Sequence, residues 1–315
     1  MPEPAAHARR VERLRLELDD EGIALPAEPE LGELLLAELD YARHPHAHEG
    51  IAPRYGALLT TETPTAESVG PLSQIDVADI PLDVVRRLAD GRSSFLARAV
   101  GGAARLVCFD RSREYESSAV HLAAGTGANV LQRLGRGWVR LTTPEGVATW
   151  DGIHWSTKPL AVHIAARVAP VLTDADPTVL AHILELATHW LGAGRVGATI
   201  VWRLDGDARE LAYLGFGASV AIPPLDLSRR AHFAPLLNAL SQYDRAALVD
   251  SHGRLATVGV HLRSSERSRR EVPSYRGTRH TSALRFSADE PSAAVFVVSS
   301  SGPLSVFRQG RRLET

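Results

Sequence analysis

The chain has 315 residues, 44% of them apolar and 23% charged, an ordinary balance for a soluble globular protein of about two domains. Its formal net charge of −2 supplies no global basic field for nucleic acid. One cysteine, Cys108, excludes an intrachain disulfide and any multi-cysteine metal site, and the run Arg105–Phe109 reads it as a buried strand residue. Met1 to Arg15 lack the apolar core of a secretory signal, and no stretch reaches the roughly 18 apolar residues of a membrane span, so the expected location is the cytoplasm. Lys158 is the only lysine among many arginines, which reads as coding bias.

Residues 1–70 carry two short helical patterns, Val11, Leu14, Leu18 and then Leu31, Leu34, Leu35, Leu39. The polar stretch Thr60 to Pro71 reads as a linker. Residues 71–172 change character. After a short helix over Pro81 to Ala89 come strand-like runs at Arg105–Phe109, Ser118–Ala123, Asn129–Leu134, Trp138–Thr142 and Val147–Trp150, separated by glycine-rich turns. This part is expected to be a small β-rich α+β domain.

Residues 173–315 open on a strong helix start. Asp176 can cap, Pro177 suits the first helical position, and Leu180, Ile183, Leu184, Ala187 and Leu191 form one stripe that Gly192 ends. Strands are predicted at 198–202, 246–249, 256–260, 294–299 and 304–307. Alternating helices and strands imply an α/β domain with a mixed sheet flanked by helices.

The most informative segment is Tyr275-Arg276-Gly277-Thr278-Arg279-His280-Thr281-Ser282-Ala283. Gly277 allows close backbone approach, Thr278 offers a hydroxyl, Arg279 a planar five-donor fork and His280 an imidazole. On residue chemistry alone the segment is either a phosphate-contacting loop entering a helix or a solvated basic turn. Other features read blandly. The alternating histidines of His44-Pro45-His46-Ala47-His48 have no second ligand cluster and read as a solvated loop. Gly125-Thr126-Gly127 reads as a tight turn, Asp205-Gly206-Asp207 as a hairpin turn, and Arg263 to Arg270 as a mobile surface loop.

The stretch Gly277 to Gly310, GTRHTSALRFSADEPSAAVFVVSSSGPLSVFRQG, resembles the second half of the diadenylate cyclase (DAC) domain. Upstream, Asp244-Arg245-Ala246 sits where that family has Asp-Gly-Ala entering a strand, and Ala256–Leu262 matches its next strand. Pro224-Leu225-Asp226 matches the segment lining the adenine pocket, and Gly194-Arg195-Val196-Gly197-Ala198 the entry to the first core strand. The resemblance implies a protein that binds ATP with a divalent metal, Mg or Mn, and condenses two ATP to cyclic di-AMP as a facing pair, a homo-oligomer. It implies Asp244 as the metal and hydroxyl residue, with Gly277, Thr278, Arg279, His280 and Thr281 around the phosphates. Asp244, Arg279 and His280 are the implied catalytic set; Leu225, Asp226, Arg245 and Ala246 border the nucleotide. It further implies that residues 71–172 are a sensor domain.

The chain departs from the family pattern at several points. Arg245 replaces a glycine and Thr281 an arginine, Ala288 stands where an acidic residue follows the serine, with Asp289 one place on, and Ser300 stands where glutamate is frequent. An alternative reading is therefore a catalytically inactive nucleotide-binding sensor module. A nucleic-acid partner is disfavoured by the near-neutral charge and by the absence of a helix-hairpin-helix-like tail.

Overall fold

A computed structural model describes residues 4–45, 49, 52–62, 72–215, 222–300 and 304–315. The chain divides into two compact units, residues 1–159 and 160–315. Among the described residues, no helix is long and apolar enough to cross a membrane.

In the first unit, α1 (Pro4–Asp20) and α2 (Pro29–Arg43) precede β1 (Tyr55–Thr60), β2 (Leu72–Asp76), α3 (Leu82–Leu88), β3 (Ser94–Ala99) and β4 (Arg105–Phe109). Helix α4 (Glu116–Thr126) and strands β5 (Asn129–Arg133), β6 (Val139–Thr142), β7 (Val147–Trp150) and β8 (Trp155–Lys158) complete it. The sheet order is β2-β4-β3-β1-β5-β6-β7-β8, with β1 and β3 parallel. Strand residues alternate between faces, so β1 sends Tyr55, Ala57 and Leu59 towards Leu14, Leu18, Leu35 and Leu39 of α1 and α2. Its Leu58 meets Phe95, Val107, Ala119 and Leu122 on the α4 side. With both faces covered, all six residues of β1 are buried.

This packing corrects three expectations. Residues 1–70 are not a separate segment, because α1, α2 and β1 share one core with the β-rich part. The run 118–123 is not a strand but the middle of α4, and Gly127, at φ 66°, is the left-handed residue that ends it, so Gly125-Thr126-Gly127 is a helix end. Cys108 lies on β4 as expected but is half-buried. Of the predicted linker, Thr60 closes β1, and residues 63–71 lie outside the described residues, as do His46 to His48.

The second unit begins with α5 (Ala161–Val168), before the expected start at 173. Ile164, Val168 and Leu172 recur every four residues and bury against Leu180 and Ile183 of α6 (Pro177–Glu185). Arg308 ties the connecting loop to the sheet through two hydrogen bonds to Asp174, of 2.6 and 2.7 Å, and one to the Val171 carbonyl. Asp176 caps α6 as expected, accepting from the Thr178 and Val179 amides. The helix continues as a π-helical stretch, Leu186–Gly192, which its apolar spacing did not announce.

The remaining elements are β9 (Ala198–Arg203), β10 (Leu214–Gly215), α7 (Phe233–Gln242), β11 (Ala246–Val249), β12 (Leu255–Leu262), α8 (Glu266–Glu271), α9 (Thr278–Asp289), β13 (Ala293–Val298), β14 (Ser305–Arg308) and β15 (Arg311–Leu313). They form one mixed sheet, β10-β12-β11-β9-β13-β14-β15, in which β9 and β11 are parallel. Helices cover both faces: α6 and α7 pack on Ile200, Trp202 and Phe296, and α9 packs on Val201, Val295 and Phe307. The fold is therefore the expected mixed-sheet α/β unit flanked by helices, preceded by a β-rich α+β unit.

Two loop expectations change. Asp205-Gly206-Asp207 does not join a hairpin, since β10 pairs with β12; Asp207 instead caps a short 3-10 turn by accepting from the Arg209 amide. Part of the 263–270 run is helical. Ser265 caps α8, and Arg267–Glu271 and Arg270–Glu266 form i,i+4 pairs at 2.9 and 3.0 Å.

Candidate functional site

Strands β9 and β11 run parallel with Thr199 opposite Ala246, and β12 brings Val260 against Ala246 from the other side. The amino-terminal ends of β9 and β11 thus meet the last residues of β12. The first turn of α9 closes over them. The resulting cleft, about 310 Å³, is lined by Asp244, Arg245, Ala246, Thr278, Arg279 and Ser282, with Thr199, Val260, His261 and Leu262. Its walls differ: Ala246, Val260 and Leu262 are apolar, while Asp244, Arg245 and Arg279 carry charge.

Asp244 and Arg279, 35 positions apart, form an ion pair with Nη2 3.1 Å from Oδ1. The Asp244 side chain is 87% exposed and that of Arg279 37%. The Arg245 amide also donates to Asp244 Oδ1, at 2.9 Å. That amide first, and the Arg279 guanidinium second, hold the Asp244 carboxyl below its ordinary range, so it is ionised at neutral pH. Arg245 reaches this position at φ 79°, the left-handed region where a glycine is free and an arginine is strained. Gly197, just before β9, makes room for Arg279: a Cβ there would stand 2.4 Å from Nη1.

The structure does not bring every predicted residue to this cleft. Gly277 is the N-cap of α9 and borders open space, and Thr278 is its first residue and lines the cleft. His280, predicted as a catalytic and phosphate contact, is buried edge-to-face against Tyr275 and Phe307, each 6.1 Å away. Burial, then Arg276, Arg279 and Arg312, lower its pKa, which keeps the ring neutral. Its Nε2 has no hydrogen-bond partner. It braces the helix start from behind, at an apolar position on the inner side of the turn.

Thr281 also acts inward: its hydroxyl accepts from the Tyr275 amide and donates to the Tyr275 carbonyl, both at 3.1 Å. Leu225 and Asp226 belong to another place. They line a second cleft of about 490 Å³ with Asp250 and Arg254, at the carboxyl end of β11. Leu255 donates to the Leu225 carbonyl, and Asp226 bridges Arg254. At about 3.3 Å per strand residue, the six residues from Asp244 to Asp250 put this cleft roughly 20 Å from the first. The structure therefore does not bring Leu225 and Asp226 to the Asp244–Arg279 cleft, where they were expected. Asp289 is likewise committed elsewhere, accepting from Ser265 and Ser268 at the α8 cap.

Reading motifs along the chain missed Thr199, Ser282 and His261. Each reaches the cleft by strand pairing or by helical spacing from Thr278 and Arg279, and only the last of these signals was present locally. Among the described residues, no group of three or more His, Cys, Asp or Glu could hold a metal ion. Asp244 is the cleft's one carboxylate among its lining residues, exposed and ionised. This donor set fits a hard divalent cation that arrives with phosphate oxygens, rather than one caged by protein alone.

Two family models match the chain: DACNK, a probable sensor domain, over residues 12–159, and DAC, the DisA bacterial checkpoint controller nucleotide-binding domain, over residues 185–312. Among solved structures, a hypothetical membrane spanning protein from Bacillus cereus is 23% identical over 47% of this chain and 69% of its own, with a TM-score of 0.36. A double mutant of DacA from Staphylococcus aureus is 19% identical over 42% of this chain and 83% of its own, with a TM-score of 0.33. No curated protein matches. Residues 185–312 thus match a DAC nucleotide-binding domain, preceded over residues 12–159 by a match to a probable sensor domain of the DACNK kind.

Proposed function

We propose that the second unit binds ATP in the Asp244–Arg279 cleft and condenses two ATP to cyclic di-AMP when two copies face each other. One observation carries this reading: a carboxylate, a guanidinium and a helix amino terminus meet beside an apolar wall. The apolar wall of Ala246, Val260 and Leu262 suits a purine ring. Arg279, Thr278 and the free amides of the α9 start suit phosphate. A facing pair is needed because each copy supplies one nucleotide. The 3′-hydroxyl of one attacks the α-phosphorus of the other, and pyrophosphate leaves; the second attack closes the ring.

Asp244 would hold the divalent metal, whose chemistry is to neutralise phosphate charge and favour the attacking hydroxyl. In the structure Arg279 pairs with that carboxylate. Nucleotide entry exchanges the Asp244–Arg279 pair for two better matches, phosphate with Arg279 and cation with Asp244. The pair is exposed, so opening it costs little. Charge and positioning supply most of the catalysis in such transfers. Residues 12–159 would then regulate the reaction as a sensor.

Incubation of the full chain with ATP and Mg²⁺ or Mn²⁺, followed by mass spectrometry, should yield cyclic di-AMP. Bound ATP without product would reduce the second unit to a nucleotide-binding sensor module.

A further inference from the structure

Beside the cleft, around Tyr275, lies a second concentration of positive charge. The guanidinium carbons of Arg276 and Arg312 stand 5.4 and 5.9 Å from the Tyr275 ring centroid. The two arginines come from separate elements, one just before α9 and one on β15. Both are exposed, and neither pairs with a carboxylate among the described residues. Five other arginines of this unit, Arg203, Arg230, Arg267, Arg270 and Arg308, each meet an acidic side chain. Two exposed cations on one aromatic ring, with no carboxylate beside them, make a setting that suits an anion.

Two features at the same place suit an anion. Helix α9 runs for 12 residues and no side chain caps it, so the amides of its first turn lack acceptors within the helix. Gly277 has φ −82° and ψ 177°, which any residue adopts, and a Cβ there would meet nothing within 4 Å. The chain itself therefore gives no reason for glycine at this position, and its bare backbone leaves the helix start open to a close ligand. Thr281 has its hydroxyl tied to Tyr275 and contributes no charge. Arg276 and Arg312 put charge at that same tyrosine.

We propose that Arg276 and Arg312 form an outer-phosphate subsite, which takes the terminal phosphates of a nucleoside triphosphate at the amino terminus of α9. This rests on the nucleotide-binding reading of the adjoining cleft. Arg279 lies between the two places: its guanidinium reaches Asp244, and its charge also reaches His280 beside Tyr275. The tail would run from the cleft across Thr278 and Gly277 towards Tyr275. The subsite selects for a triphosphate over a monophosphate, since only the longer tail spans it.

Titration calorimetry on the full chain with Mg²⁺ tests this, using AMP and an α,β-methylene analogue of ATP that cannot release pyrophosphate. The wild type should bind the analogue more tightly than AMP. The double variant R276A/R312A should lose about tenfold or more in affinity for the analogue, and AMP binding should stay within about twofold. A control, R267A/R270A on α8, removes the same charge elsewhere and should leave both affinities unchanged. Unchanged analogue binding in R276A/R312A, an equal loss for AMP, or an equal loss in the control would overturn the subsite while leaving the cleft intact. If the wild type binds neither ligand, the nucleotide-binding reading fails and the subsite with it.

Discussion

Each unit of this protein sets a carboxylate against arginine, and the two settings differ in almost every physical respect. In the first unit Glu38 is fully buried on α2 and accepts four hydrogen bonds from three residues: Tyr55 Oη at 2.5 Å, Arg86 twice at 2.9 and 2.8 Å, and Arg98 at 2.6 Å. In the second unit Asp244 is exposed, meets Arg279 through one hydrogen bond, and keeps Oδ2 without a hydrogen-bond partner among the described residues. Glu38 is saturated, so it can only hold α2, α3, β1 and β3 together. Asp244 has capacity left over and little to lose by exchanging partners. Local charge pairing therefore means structure in one unit and readiness for a ligand in the other, and the number of open donor and acceptor positions decides which.

The largest effect should come from the buried side. Glu38→Ala leaves Arg86 and Arg98 without their carboxylate, and should destabilise the first unit by about 3–5 kcal/mol in denaturant unfolding. A loss under about 1 kcal/mol would show that the arginines find other partners. The same network sets a pH dependence. Burial pushes the Glu38 pKa up, but Arg86, the Tyr55 hydroxyl and Arg98 together bring it below its ordinary value. A lowered carboxylate contributes stability in full above its unfolded-state value and loses it as pH falls through the folded-state one. Melting of this unit should hold from neutral pH down to about 4 and fall below it; a melt that rises on acidification would contradict the sign.

On the exposed side, Arg279→Ala should weaken ATP binding by about tenfold or more, the size of a lost charge-assisted hydrogen bond. Calorimetry with unchanged affinity would remove Arg279 from the site. A smaller effect has the opposite sign. Arg245 sits at φ 79°. Arg245→Gly removes that strain, offset by the greater freedom of glycine in the unfolded chain, and should raise stability by about 0.5–1 kcal/mol. Lower stability in that variant would mean that the arginine side chain contributes contacts that outweigh the strain.

Much of the second unit was legible in the sequence because its signals are local. The Asp176-Pro177 cap, the stripe from Leu180 to Leu191 and the apolar runs of β9, β11 and β13 need no partner to be read. The first unit was harder. In α4, Ser118–Ala123 shows a mix of Ser, Ala, Val and Leu that suits a strand as well as a helix turn, and packing against Phe95 and Val107 decides it. Similarly, α1 and α2 looked separable because β1, the strand next to them in sequence, belongs to a sheet whose other strands lie farther along the chain.

At the site, the union of Asp244 with Arg279 followed from the order of motifs. The inward turn of His280 and Thr281 did not, because helix position, not residue chemistry, aims a side chain. Leu225 and Asp226 failed for a different reason: a short motif does not reveal which end of a strand it will meet.

The account rests on the Asp244–Arg279 cleft as a working site, and one variant separates chemistry from folding there. Asp244 is exposed and weakly paired, so Asp244→Ala should leave stability within about 0.5 kcal/mol of wild type. The decisive measurement is the rate of cyclic di-AMP formation by wild type and Asp244→Ala, each with ATP and Mg²⁺ or Mn²⁺. The wild type should form product only with the metal, and the variant, equally well folded, should form none. Product from Asp244→Ala at the wild-type rate would contradict the account.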